Sequence, residues 1–235
     1  MFSNIKSLKY FYRKLIKPDK VYHKGIKLDI SSKVISHWVR DAVYKGFYEY
    51  HELTLLKKHL NASDSVLEIG GGIGLIGSAC NVKNLVIYEA NPHLIKIIEK
   101  NLHINDVKGK VVNKAIVRNN TKKKINFYIG PDFWNASLVK KDDFVRTPVN
   151  TEQFDNVIIS TNSNFVIIDV EGYEYTLLDN YNFPKFVNKI WVKGVEEWWN
   201  SKNVRYTIKK FSDNYSKKNK NIISDLTKII KHYEK

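Results

Sequence analysis

A strand that runs directly into a glycine-rich turn is the feature that most constrains this chain. Residues 66–69 read VLEI, a short apolar strand, and residues 70–77 read GGGIGLIG, with four glycines in the first five positions. Glycines in such a turn permit positive φ and let a ligand approach backbone N–H groups with no Cβ in the way. The pattern therefore predicts a nucleotide-type ligand where a buried strand turns into a helix.

Two acidic residues bear on which ligand this is. Gly72, with glycines two and five positions later, fits the dinucleotide fingerprint, which is weak on its own. Glu68 lies two positions before Gly70, where a carboxylate would repel a pyrophosphate but suits an ammonium or sulfonium group. Glu89 ends the next strand and can hold ribose hydroxyls whether the ligand is NAD or a sulfonium nucleoside, so it does not separate the two. Glu68 therefore favours S-adenosylmethionine (SAM), in a turn that resembles the first motif of class I SAM methyltransferases.

Short β-branched runs alternate with helical patterns from residue 66 onward. The clearest helix covers 92–104, and the segment 130–163 reads as loops with a hairpin. Alternation at this spacing is typical of an α/β protein with a mainly parallel, Rossmann-like sheet flanked by helices. The predicted strands are 66–69, 85–88, 111–117, 125–129, 165–170 and 190–195.

The strand at 165–170 ends in a pair of acids, Asp169 and Glu171. Alternate residues of a strand share a face, so both carboxylates are expected to point the same way at the edge where parallel sheets bind ligands. Two nearby carboxylates raise each other's pKa, which could yield a general base for a hydroxyl acceptor. No further Asp or His residues cluster around the pair, so no metal is predicted.

Several motifs together resemble the FkbM-type methyltransferases, a family within class I. The most specific is IDVEGYEYTLL at 168–178, a strand that ends in Asp-Val-Glu-Gly-x-Glu before a leucine pair. The others are VLEIGGGIG (66–74), YEANP (88–92), NKAIV (113–117) and NASL (135–138). The resemblance covers about Tyr48 to Leu178. It implies a class I methyltransferase fold and a SAM-dependent O-methyltransferase acting on a hydroxyl of a sugar, glycan or small molecule.

The resemblance also implies a role for individual positions. Glu68, Gly70 and Gly72 would line the methionine end of SAM. Glu89 would hold the ribose, Asn91 would lie beside it, and Ala115 would sit near the adenine. Asp169 and Glu171 would face the transferring methyl group and the acceptor, as the catalytic residues. A helix that carries Glu49 and Glu52 could cover the methionine end.

These motifs divide the chain into three parts. Residues 1–60 are expected to form an N-terminal helical segment, with helices over 2–16 and 33–60. Residues 61–200 would be the SAM-dependent methyltransferase domain, and 201–235 a basic C-terminal helical segment.

The net charge of +15 invites a nucleic-acid partner, but it sits in the tails. Residues 1–20 carry +5 and residues 201–235 carry +7, which leaves +3 for the 180 residues between them. Only five of the 39 basic residues are arginine, the residue that makes bidentate contacts to phosphate and guanine. No specific nucleic acid is expected. An NAD-dependent oxidoreductase, a nucleic-acid methyltransferase using the basic tails, and a non-enzymatic SAM-binding module stay open as alternatives.

The single cysteine, Cys80, excludes an internal disulfide framework and fits a reducing compartment. No apolar run is long enough to span a membrane and no secretory signal is evident, so a cytoplasmic protein is expected. The helix over 2–16 has apolar residues on one face and lysines between them. It either packs on the domain or contacts an acidic membrane surface.

Overall fold

A computed structural model describes residues 2–118, 122–130, 136, 138, 143–179 and 181–192. The helices are α1 (Phe2–Ile16), α2 (His37–Lys45), α3 (Tyr50–His59), α4 (Leu75–Ser78), α5 (Ile95–Ile104), α6 (Phe154–Thr161) and α7 (Glu174–Leu178). The strands are β1 (Lys20–His23), β2 (Ile26–Asp29), β3 (Ser65–Ile69), β4 (Asn84–Glu89), β5 (Lys110–Asn113), β6 (Ala115–Val117), β7 (Lys124–Ile129), β8 (Val145–Gln153), β9 (Phe165–Ile168) and β10 (Lys189–Val192).

A five-stranded parallel sheet forms the centre of the protein, in the order β10-β9-β3-β4-β5. Its middle strands are buried on both faces, as expected when helices cover a parallel sheet. Val66 and Ile87 pack into one core with α2, α3, α4 and α5, whereas Leu67 and Ile168 pack into a second core with α6 and α7. The predicted α/β fold with a mainly parallel sheet is confirmed.

The strand order reverses between β3 and β9. From β3 the chain builds β4 and β5 to one side and later returns to add β9 and β10 on the other. The two strand ends are tied together, since the N–H of Asp169 donates to the carbonyl of Ile69 at 2.8 Å. Crevices outside such switch points are the usual ligand sites of open α/β sheets.

A second sheet, in the order β6-β8-β7, flanks the β5 edge. The strand predicted over 111–117 is in fact two strands, β5 and β6, that separate at Lys114 and pair in different sheets. The segment 130–163, which reads as loops with a hairpin, contributes one described strand, β8, and β8 pairs antiparallel with β7, the strand predicted over 125–129. Helix α6 was not predicted in that segment.

Residues 1–60 contain the helix predicted over 2–16, but the helix predicted over 33–60 is in fact two helices, α2 and α3, that separate at Gly46. Residues 1–60 also form a β-hairpin, β1 and β2, whose turn residues Lys24 and Gly25 have φ of 52° and 91°. Positive φ at both turn residues is the geometry of a tight two-residue hairpin. The hairpin was missed because its strands are only four residues long and each includes an exposed lysine.

Side-chain amides at the C-terminal end of α5, from its last turn and from the residue that follows it, cover the outer edge of β2. Asn105 accepts from the N–H of Lys27 and donates to its carbonyl, at 2.9 and 2.7 Å. Asn101 accepts from the N–H of Asp29 at 2.7 Å and donates to the carbonyl of Ile73 in the glycine turn. The hairpin is thereby fastened to α5 and, through Asn101, to the segment that shapes the ligand crevice.

The predicted C-terminal helical segment, 201–235, lies outside the described residues. Within the described ranges, no helix combines the length and the apolar character needed to cross a membrane.

Candidate active site

A cavity of about 530 Å³ opens at the carboxyl ends of β3, β4 and β9. This volume lies within the usual range for small-molecule and cofactor sites. The cavity brings together six of the eight residues predicted from sequence: Gly70, Gly72, Glu89, Ala115, Asp169 and Glu171. The other two, Glu68 and Asn91, do not line it.

The floor of the cavity is the glycine turn between β3 and α4. Gly70 has a φ of +94°, and a Cβ there would lie 1.7 Å from the carbonyl oxygen of Asp169. Gly72 has a φ of +52° and faces the open cavity near the hydroxyl of Tyr48. The turn therefore needs glycine for its backbone shape and, at Gly70, for the close approach of β9.

Glu89 holds this turn in place from the end of β4. Its Oε2 accepts hydrogen bonds from the N–H groups of Gly71 and Gly72 at 2.9 and 3.1 Å, and its Oε1 accepts from the N–H of Asn91 at 2.7 Å. Burial and, to a smaller extent, the negative charge of Asp169 raise the pKa of Glu89 to about 7, although these hydrogen bonds lower it. A carboxylate has about four acceptor positions, so Glu89 can still receive a ligand hydroxyl.

Glu68 and Asn91 support the site from beneath it. Glu68 is buried in β3 on the side of α4, and its Oε2 would lie 3.0 Å from a Cβ on Gly77. Asn91 is buried beside Glu89, and its Oδ1 accepts from the N–H of His93 at 3.0 Å. Its Nδ2 is buried without a hydrogen-bond partner among the described residues. The contact of Glu68 with a methionine group and of Asn91 with a ribose both stay predictions.

One end of the cavity is apolar. Ala115 is buried there in a small cluster with Phe127 and Ala136, and Ala90 and Leu138 pack against it. All five residues line the cavity. Sequence reasoning singled out only Ala115, because Phe127 reaches the site from the flanking sheet and nothing in the local pattern shows that.

The segment after β9 differs from the geometry expected from sequence. Strand β9 ends at Ile168, so Asp169 and Glu171 lie in a turn and do not share a strand face. Glu171 is exposed and has a φ of 50°, an uncommon value for a residue with a side chain. Asp169 is half-buried. The turn nevertheless brings both carboxylates to the same cavity wall.

A third acid, Glu174, holds this turn. Its two carboxylate oxygens accept from the N–H groups of Val170 and Gly172, each at 2.8 Å. Burial raises the pKa of Glu174 despite these bonds, and the charge of Asp169 adds to the rise. Glu174 was not among the site residues predicted from sequence. Its place three residues after Glu171, at the first turn of α7, was the available signal for a positioning role.

The roof of the cavity comes from the N-terminal region. Trp38, Val39 and Ala42 of α2 line it, together with Glu49 and Glu52 at the start of α3. Sequence reasoning placed those two acids over the methionine end but missed the contribution of α2. Among the described residues, no group of three His, Cys, Asp or Glu side chains is arranged to hold a metal ion.

The profile of the methyltransferase FkbM domain matches residues 75–221, which is more than half of the chain. The chain therefore belongs to the FkbM methyltransferase domain family. No match was found among curated protein sequences.

Two solved structures are similar in part. One is PH0793 from Pyrococcus horikoshii, described as a transferase, with 15% identity and a TM-score of 0.33 over 48% of this chain and 50% of that one. The other is P. horikoshii TYW2 in complex with MeSAdo, with 12% identity and a TM-score of 0.43 over 90% of this chain and 72% of that one. The matched part thus spans about half the length of PH0793.

Proposed function

We propose that this chain is a SAM-dependent methyltransferase, and the observation that carries the proposal is the charge of the cavity. Five carboxylates line it: Glu49, Glu52, Glu89, Asp169 and Glu171. The lining also includes Lys114, but that ammonium pairs with Glu152 at 2.7 Å. A cavity with this excess of acids suits a ligand that carries a sulfonium and an ammonium group.

The same charge argues against the two main alternatives. NAD would bring a pyrophosphate to a glycine turn that has Asp169 beside it and the buried Glu68 beneath it. A nucleic-acid acceptor would bring phosphates to the same acidic wall. Like charges at such short range are unfavourable, so both ligands fit the cavity worse than SAM.

The residues present fit SAM. The remaining acceptor capacity of Glu89 would receive the ribose hydroxyls, and the apolar end at Ala115 and Phe127 would take the adenine. Gly72 would leave room for the methionine part, since only the hydroxyl of Tyr48 lies within 4 Å of its Cβ position, whereas Gly70 allows the turn to pass close to the backbone of Asp169. When bound, SAM supplies an electrophilic methyl group.

The acceptor in this proposal is a hydroxyl of a sugar, glycan or other small molecule. A hydroxyl has a pKa far above 7 and therefore needs a positioned group that can take its proton. Asp169 lies on the cavity wall at the carboxyl end of β9, next to the turn that Glu174 fixes. A carboxylate in this position contributes roughly 10²–10⁴-fold as a base or orienting acceptor. Exposed Glu171, further along the turn, would orient the acceptor.

The substitution Asp169→Asn tests this assignment. Asparagine keeps the shape and one acceptor oxygen but takes no proton at neutral pH, so methyl transfer should fall by roughly 10²-fold or more. SAM affinity, measured by calorimetry on the same protein, should change much less. Asp106→Asn, at an exposed position after α5, is the matched control.

The assay mixes full-length protein, SAM and a panel of glycans and hydroxyl compounds, with product detected by mass spectrometry. Calorimetry with NAD is run in parallel. Binding of NAD without binding of SAM would overturn the cofactor assignment. Equal losses of SAM affinity and turnover in Asp169→Asn would make Asp169 a cofactor ligand instead of a base.

A further inference from the structure

Helix α1 is attached to the domain by one face only. The hydroxyl of Tyr10 donates to Asp41 at 2.9 Å, and the guanidinium of Arg13 donates to the carbonyls of Tyr44 and Tyr22 at 3.2 and 2.7 Å. These contacts fix the helix on α2 and β1. On the opposite side of α1, the large apolar side chains from Leu8 onward are exposed.

That opposite side is apolar and wide. Five large side chains, between 53% and 83% exposed, make up what we call the α1 apolar face: Leu8, Phe11, Tyr12, Leu15 and Ile16. At about 100° per residue, these positions cover a sector of roughly 140° centred opposite Tyr10 and Arg13. So many large apolar side chains on one exposed face mark an interaction surface.

Lysines border this face on both sides. The same helical geometry places Lys9 at one edge of the sector and Lys14 about 60° beyond the other edge. Both lysines are exposed, and the ammonium of Lys14 lies 5.6 Å from the centre of the Tyr10 ring. The sequence of α1 contains no Asp or Glu. Long lysine side chains can lie along an apolar surface and keep their ammonium groups at its polar boundary.

We propose that the α1 apolar face docks on an anionic lipid bilayer. An apolar helical face with basic borders is the arrangement that binds in the plane of a membrane surface, with its apolar side chains among the acyl chains and its lysines at acidic headgroups. With 15 residues, α1 is shorter than a spanning helix, so it would lie along the surface.

The positive charge around the α1 apolar face favours an anionic bilayer over a second copy of α1 or the C-terminal segment of this chain. A second copy of α1 would bring another set of lysines against Lys9 and Lys14, and residues 201–235 carry a net charge of +7. Both would meet like charge at the borders of the face. The phosphates of a nucleic acid would match the positive charge of the lysines. A nucleic acid has no apolar surface that could cover the five large side chains of the α1 apolar face.

Docking through α1 would also orient the candidate active site. Helix α2 receives Tyr10 and Arg13 from α1 and lines the cavity with Trp38, Val39 and Ala42. A bilayer held by α1 is therefore one helix away from the cavity. This proposal does not depend on methyl transfer, and its test uses lipid binding alone.

The test is sedimentation of the full chain with vesicles of phosphatidylcholine, alone or with 30% phosphatidylserine. The parent protein should bind the mixed vesicles at least tenfold more tightly than the neutral ones. The double variant Phe11→Ser/Leu15→Ser should lose at least tenfold in affinity for mixed vesicles. The matched control is Val145→Ser/Ile159→Ser, which removes two apolar side chains that are 68% and 60% exposed elsewhere on the surface.

A second variant, Lys9→Gln/Lys14→Gln, should weaken binding to the mixed vesicles and reduce its dependence on salt. Circular dichroism and SAM calorimetry on each variant check that the fold and the cavity are unchanged. Equal binding to both kinds of vesicle, no binding by the parent, or equal losses in the Val145/Ile159 control would overturn the proposal. Dimerisation that is lost in Phe11→Ser/Leu15→Ser, without vesicle binding, would assign the face to a second copy.

Discussion

The close approach of Gly70 to β9 gives the most direct test of the geometry of the site. In Gly70→Ala, the new Cβ would lie 1.7 Å from the carbonyl oxygen of Asp169, whereas such atoms essentially never come closer than 3.0 Å. The backbone at Gly70 or Asp169 must then move by at least about 1.3 Å, the difference between these distances. That movement pulls at the 2.8 Å hydrogen bond from the N–H of Asp169 to Ile69.

The expected cost has three parts. A side chain in left-handed backbone costs about 1–2 kcal/mol, overpacking typically adds about 1–3 kcal/mol, and a weakened hydrogen bond adds about 1 kcal/mol. Gly70→Ala should therefore lower the free energy of unfolding by about 3–6 kcal/mol. Gly46→Ala is the matched control, because Gly46 also has positive φ, at +78°, but has nothing within 4 Å of its Cβ position. Gly46→Ala should show only the cost of a side chain in left-handed backbone, about 1–2 kcal/mol.

Urea unfolding of both variants measures the difference, which should be about 2 kcal/mol or more. In the folded Gly70→Ala protein, displacement of Asp169 by more than 1 Å should also reduce turnover by about 10²-fold. If the two variants differ by less than about 0.5 kcal/mol, the close contact between the ends of β3 and β9 does not exist as described.

Three further predictions concern buried charges. Glu89→Ala should weaken SAM binding by about 1.5–3 kcal/mol in calorimetry; in the parent, SAM affinity should fall as pH drops below about 7, because the carboxyl of Glu89 is then protonated. Folding raises the pKa of Glu89 from 4.5 to about 7, so the folded protein holds this proton more tightly than the unfolded chain does. The free energy of unfolding should therefore decrease by up to about 3 kcal/mol as pH rises from 4.5 to 7. Glu89→Ala should lack this pH dependence. Glu174→Gln removes one of the two carboxylate oxygens that accept hydrogen bonds from the turn after β9. Turnover should therefore fall while SAM affinity stays unchanged. The control Glu99→Gln, at an exposed position, should change neither turnover nor SAM affinity. Lys189→Met leaves the buried carboxylate of Asp64 without its ammonium partner at 2.7 Å and should cost about 3 kcal/mol in urea unfolding, whereas an unchanged midpoint would show that the pair is solvated.

The parts of the fold that could be read from sequence are those with strong local signals. The apolar runs of β3, β4 and β9 and the glycine turn after β3 each have a periodicity or composition that fits one structure. The same signals place Glu89 at the end of its strand, where it ends β4 and lines the cavity. Its contact with a ribose stays a prediction. These features place the cavity at the correct edge of the sheet.

The features that were missed depend on contacts between distant segments. Asn101 looks like an ordinary polar residue of α5, and only the position of β2, 72 residues earlier, explains its burial. Phe127 reaches the cavity because β7 pairs with β8 in a separate sheet. Asp169 and Glu171 were predicted to lie on a strand. The hydrogen bonds that Glu174 accepts from backbone N–H groups stabilise a turn there instead.

The asparagine pair on α5 has a consequence for the behaviour of the protein in concentrated solution. An uncovered strand edge is a template on which another chain can add a strand and begin to aggregate. Asn101 and Asn105 occupy the outward N–H and carbonyl groups of Asp29 and Lys27, so β2 offers an incoming strand nothing to pair with. Two side chains thus take the place of a neighbouring strand, and the β2 edge of the hairpin does not favour aggregation.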